Sequence, residues 1–147
     1  MSAGAGTGDV DWEKLYAARL LAARVRPYLA SALFALHPVA SAQVPTMAVD
    51  RHWRCYVSAA FVARRTVADL AGVWVHEVSH LLRDHHGRGD RYAAQHPPAG
   101  PGEQLRRNIA ADFEINDDVY GHGLAAPAGA ALPGLLQLPE DLLMEEY

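Results

Sequence analysis

The feature that most restricts how this chain can fold is a long helical run, Thr66 to His86, carrying two histidines four residues apart. Val67, Leu70, Ala71, Trp74, Val78, Leu81 and Leu82 recur along one broad face at helical spacing. Thr66 or Asp69 stands near its start, and Gly87 and Gly89 fall just past its end, where helices commonly stop. Within it lies His76-Glu77-Val78-Ser79-His80, an H-E-x-x-H motif. Residues i and i+4 are neighbours on a helix surface, so both imidazoles face one point in space. That supplies two of the three protein ligands of a catalytic zinc and leaves a position for water. Glu77 sits beside such an ion rather than on it, where it can accept a proton from activated water. The competing explanation is a packed helix whose two histidines cap neighbouring polar groups. The position of the motif in mid-helix favours the metal.

The remainder of the chain is compatible with one α+β domain, mostly helical with a small hairpin or sheet beside the motif helix. At 147 residues it can bury roughly two thirds of its unfolded surface. Residues 1–9 read as a flexible lead and residues 10–147 as a single domain. Asp9 or Asp11 caps a helix running to about Arg26, and Tyr28 to Leu36 forms a second helical piece that stops before Pro38. Thr46 to Val49 and Trp53 to Ser58 are β-prone runs that read as a hairpin. Residues 87 to 102, rich in Gly and Pro, read as a surface loop. Gln104 to about Tyr120 is a further helix, with Leu105, Ile109, Phe113 and Val119 inward and Gly121 as its terminator. The tail is expected to be largely irregular, ending in a short turn between Glu140 and Tyr147.

A formal net charge of −4 provides no general basic field for nucleic acid. The pairs Arg64-Arg65 and Arg106-Arg107 read as solvated helix faces. The single cysteine, Cys55, excludes an intramolecular disulfide and reads as a packed, inert thiol. Met1 to Asp11 lacks the basic start of a signal peptide, and the longest apolar stretch is too short to span a bilayer. A cytoplasmic protein that contacts neither membrane nor nucleic acid is expected.

Three candidates offer a third ligand. His86 follows His76 at the spacing of the long metzincin motif, but Arg83 stands where that motif has the glycine that turns the chain back. Glu114 with Asp118 forms an E-x-x-x-D pair resembling the thermolysin-type gluzincins. Asp112 with Asn116 makes the same one-turn pairing two residues earlier. Residues 112 and 114 point about 200° apart on a helix. Asn108, Asp112 and Asn116 share the side flanked by Ile109 and Phe113, read as buried, whereas Glu114 falls with Arg107 and Ala111 on the side read as solvated. A buried carboxylate needs a cation, which favours Asp112 over Glu114.

With these residues in place, most of the chain resembles the metallopeptidase domain that usually precedes a VWA-like domain in bacterial proteins. The resemblance runs through Pro27-Tyr28-Leu29 to Leu36, the hairpin, the H-E-x-x-H helix, His85-His86-Gly87-Arg88, and Asn108-Ile109-Ala110-Ala111-Asp112 with Ile115-Asn116. It implies a zincin fold with a short edge strand beside the active-site helix, Asp112 as third ligand and Asn116 as the partner that supports a ligand. No VWA-like domain follows in this sequence, which is expected to be a standalone version or a piece of a longer protein.

The expected function is that of a zinc-dependent metallopeptidase acting on a peptide or protein. Its metal ligands would be His76, His80 and Asp112, holding one Zn2+, with Glu77 as general base. The alternative is a catalytically inactive zinc-stabilised scaffold or protein-binding module, in which Glu77 would have no chemical task. His85 and Arg88, read as lying at the end of the motif helix, suit the helix dipole whether or not they serve catalysis. Tyr92, His96, Tyr120 and His122 could each donate to an oxyanion, and spacing does not choose among them.

Overall fold

The computed structural model describes residues 8–96, 100, 102–120, 124, 137–139 and 142–147, the side chains of 117–119 excepted. Helix α1 (Trp12–Val25) begins at Asp11, whose side chain accepts the Lys14 N–H at 3.1 Å. Its buried residues Leu15, Ala18 and Ala22 form a narrow stripe. The two alanines allow close approach to α4 (Val67–Leu82), and Trp74 Nε1 donates to the Leu15 carbonyl at 3.0 Å. A 3-10 turn, Pro27–Leu29, and the short α2 (Ala30–Ala35) follow.

The sheet contains a strand that the pattern of residues did not disclose. Strand β1 (His37–Ala40) pairs in parallel with β3 (Arg54–Val57), which pairs antiparallel with β2 (Met47–Val49) in the order β1-β3-β2. Pro38 had marked this segment as a helix stop only. An edge strand tolerates proline because one side of its backbone needs no ladder partner. Strands β2 and β3 form the expected hairpin. Asp50 holds its turn, accepting from the backbone N–H groups of His52 and Arg54, from Arg54 Nε and from the Tyr56 hydroxyl. Cys55 and Val57 in the central strand are fully buried.

After α3 (Ala59–Arg64), Thr66 caps α4 through the Asp69 N–H at 3.1 Å. Leu70, Ala71, Trp74, Val75 and Val78 are buried, so α4 is the central element of the core. It packs against α1, α2, β2 and α6 (Glu103–Val119).

The motif helix ends earlier than its periodicity suggests. Arg83 is its C-cap, and Asp84 takes a left-handed conformation, φ 51° and ψ 43°. From there α5 (His85–Gln95) runs through Gly87 and Gly89, so a helix occupies most of the region expected as loop. Asp84 explains this. Its carboxylate caps α5 by accepting the Gly87 N–H at 3.3 Å, and a Cβ at position 87 would lie 2.6 Å from those oxygens. The first glycine thus makes room for a helix start rather than ending a helix. Leu105, expected inward on α6, is 63% exposed. Gly121 and His122 lie outside the described residues, as do residues 1–7 of the expected lead and much of the tail. The tail ends in a 3-10 turn, Met144–Glu146, packed on α6. No described helix is long and apolar enough to cross a membrane.

Candidate metal centre

Helix α4 presents His76 and His80 from successive turns, and α6 crosses it to present Asp112. His76 Nε2 and His80 Nε2 lie 3.1 Å apart, and each is 3.1 Å from Asp112 Oδ1. These atoms therefore form a near-equilateral triangle. A tetrahedral zinc with ligand bonds of roughly 2.0–2.1 Å has ligand–ligand edges of about 3.3 Å, so the triangle matches one face of such a site.

The protonation pattern points the same way. His76 Nδ1 lies 2.6 Å from Asn116 Oδ1, one turn after Asp112 on α6. A carbonyl oxygen only accepts, so Nδ1 carries the hydrogen and Nε2 turns its lone pair to the centre. Two imidazole nitrogens and a carboxylate oxygen converging at these distances leave room for a cation to be shared among them. Burial alone would lower the pKa of His76, yet Asp112, Glu77 and Asn116 together raise it above the ordinary value. Asp112 is displaced oppositely: burial would raise it, but its hydrogen bonds and charge contacts with His76 and His80 hold it well below the carboxylate range. Both shifts describe a site that attracts positive charge. His76, His80 and Asp112 can hold a metal ion.

Glu77 lies beside this group, 8% exposed. Burial is the chief reason its pKa is raised; Asp112 pushes it further up, and the two histidines and the Val49 N–H pull it down. Val49 belongs to β2, so the hairpin edge and the motif helix meet at Glu77. The cleft over the site has a volume of about 670 Å³, with Met47, Ala48 and Val49 on one wall and His86, Arg107 and Asn108 on others.

The other third-ligand candidates fall elsewhere. His86 lines the cleft without joining the ligand group. A sharp turn does follow the motif, but it is made by Asp84 and delivers His85, whose Nδ1 lies 3.0 Å from His80 Nδ1. Glu114, expected on a solvated face, is 5% exposed. It receives Arg88 Nη1 and Nη2 at 2.9 and 2.7 Å and the Met144 N–H at 2.5 Å, which with burial opposing them hold its pKa low. Its cations are therefore arginines, Arg88 from α5 and, at 3.5 Å, Arg83 at the end of α4. The Asp118 side chain lies outside the described residues. His85 and Arg88 belong to the start of α5, not to the end of the motif helix. Of the proposed oxyanion donors, Tyr92 stacks on His96 and does not line the cleft, whereas Tyr120 packs on the core near the site, its hydroxyl pKa raised by burial and by the charges of Glu77 and Asp112.

Residues 11–147 match the model of a family described as "Putative metallopeptidase domain". The chain belongs to this family. The metallopeptidase-domain match spans every element from α1 to the final turn and all the residues of the metal centre. No curated protein and no solved structure matches the chain.

Proposed function

We propose that this metallopeptidase-family domain is a zinc-dependent peptidase in which His76, His80 and Asp112 hold the ion and Glu77 is the general base. The observation that carries the reading is the triangle of ligand atoms with 3.1 Å edges at the floor of a cleft, beside a buried carboxylate that is not part of it. Held by His76, His80 and Asp112, a zinc ion would supply a Lewis acid for a peptide carbonyl and lower the pKa of a water. Two histidines and one carboxylate also suit ferrous iron, but the adjoining base favours hydrolysis. Glu77, raised in pKa by its surroundings, accepts the proton of the attacking water and returns it to the leaving amine nitrogen.

An extended peptide is the substrate that suits the cleft. Strand β2 is an edge of the sheet and forms one wall, so a bound peptide can add to it as a further strand. Asn116, at 2.6 Å from His76 Nδ1, would hold that ring so that its Nε2 lone pair faces the centre.

Elemental mass spectrometry of untagged protein tests the centre. About one zinc per chain is expected in wild type and none in Asp112→Ala. Zinc-loaded wild type should cleave members of an unbiased peptide library. A protein that takes up no zinc, or that carries zinc and cleaves nothing, would defeat the proposal at the first or the second step.

A further inference from the structure

His80 and His85 meet edge to face, ring centroids 5.2 Å apart, with the two Nδ1 atoms at 3.0 Å. One hydrogen can lie between two such nitrogens, and its owner sets the tautomer of both rings. The far side of His85 identifies the owner. His85 Nε2 lies 3.2 Å from Glu114 Oε1, at ion-pair distance though not in line for a hydrogen bond. A carboxylate favours the ring nitrogen that bears hydrogen. His85 therefore carries its hydrogen on Nε2 and offers a lone pair at Nδ1. His80 must then hold its hydrogen on Nδ1, which frees Nε2 for the centre.

Resting on the metal reading above, we infer that His85 is a positioning residue for His80, fixing its tautomer and ring orientation, with Glu114 fixing His85 in turn. The arrangement is the counterpart of Asn116 and His76: each motif histidine has its own partner at Nδ1. The partners come from different helices, Asn116 from α6 and His85 from α5, because the two rings sit one turn apart on α4. The left-handed Asp84 breaks the path of α4 directly before His85, which starts a new helix. His85 is 6% exposed, so water cannot readily substitute for it. Glu114 is itself immobilised by Arg88 and the Met144 N–H, and Arg88 also pairs with Glu145 at 2.6 Å. The support for the centre thus extends to the last turn of the described chain.

Two measurements on the full chain test this. Long-range 1H–15N spectra of the zinc-loaded wild type should show His80 protonated at Nδ1 and His85 at Nε2; the reverse tautomer of either ring overturns the inference. This needs no variant, so it stands even where a substitution prevents folding. Zinc affinity by competition with a chromophoric chelator is the second. His85→Phe keeps the ring and removes the acceptor, and should weaken binding about 10–100-fold. His85→Asn returns an oxygen near the Nδ1 position and should recover most of that loss. A His85→Phe protein within twofold of wild type, or an Asn variant as weak as the Phe variant, overturns the inference while the metal centre stands. A wild type that binds no zinc removes the centre and this inference together.

Discussion

At Glu77 the arrangement separates chemistry from packing. Its carboxylate is buried, contacts the Val49 N–H and takes no place in the ligand triangle. Glutamine has the same shape and keeps an acceptor for Val49, but cannot receive a proton. Glu77→Gln should therefore bind zinc as wild type does while peptide cleavage falls about 10²–10⁴-fold, checked by metal content and single-turnover cleavage on the same sample. Unchanged function would favour the inactive scaffold. The motif residues were legible because their relation is local: i and i+4 face one way in any helix. Glu114 was not legible. Helical periodicity assigns one buried face, whereas α6 is covered on one side by α4 and on another by Arg88 and the Met144–Glu146 turn. Nothing within residues 103–119 announces a partner 30 residues downstream. Asp112 was favoured on a burial argument that Glu114 satisfies better, its side chain being 6% exposed against 35% for Asp112; what separates them is the partner each faces, the two motif histidines for Asp112 and Arg88 for Glu114.

The same contrast holds for whole elements. Helices α1, α4 and α6 and the β2–β3 hairpin follow from apolar spacing and caps. Strand β1 and helix α5 do not, because a proline and two glycines signal a break unless the edge position and the Asp84 cap are known. Asp84 is the critical residue of the α4–α5 junction. Asp84→Ala loses the cap and places a Cβ-bearing apolar residue in the left-handed region, and should cost about 1–3 kcal/mol in urea unfolding. Asp84→Asn keeps a capping oxygen and a residue tolerant of that conformation, and should stay within about 0.5 kcal/mol of wild type. In the hairpin, Asp50 has a pKa lowered by its hydrogen bonds from Arg54, Tyr56 and His52, which outweigh burial. A carboxylate whose folded pKa is depressed binds protons more readily when unfolded. Its stabilisation is complete above the ordinary aspartate range and is lost as pH falls through that range towards the folded value. Asp50→Asn should be less stable than wild type at pH 7, and the gap should narrow steadily below about pH 4. Parallel unfolding curves with a gap constant across that window would remove Asp50 from the account.

For the molecule as a whole, the candidate metal centre joins segments distant in the chain. His76 and His80 come from the core helix, Asp112 from α6, and the surrounding support from α5 and the Met144–Glu146 turn. In the unfolded chain these groups are scattered, so on the proposed reading a zinc ion would bind the folded form alone and stabilise it by mass action. At a free concentration 1,000 times the dissociation constant the gain is about 4 kcal/mol, which in a domain of this size raises Tm by roughly 10–15 °C. Thermal unfolding of chelator-treated protein, before and after adding zinc, should show that rise. Asp112→Ala removes one ligand and should abolish most of it. Glu77→Gln leaves the ligands intact and should retain it, which distinguishes loss of the metal from loss of the base. A wild-type Tm indifferent to zinc would mean that the three side chains converge in the folded chain without holding an ion, and the peptidase reading would fall with it.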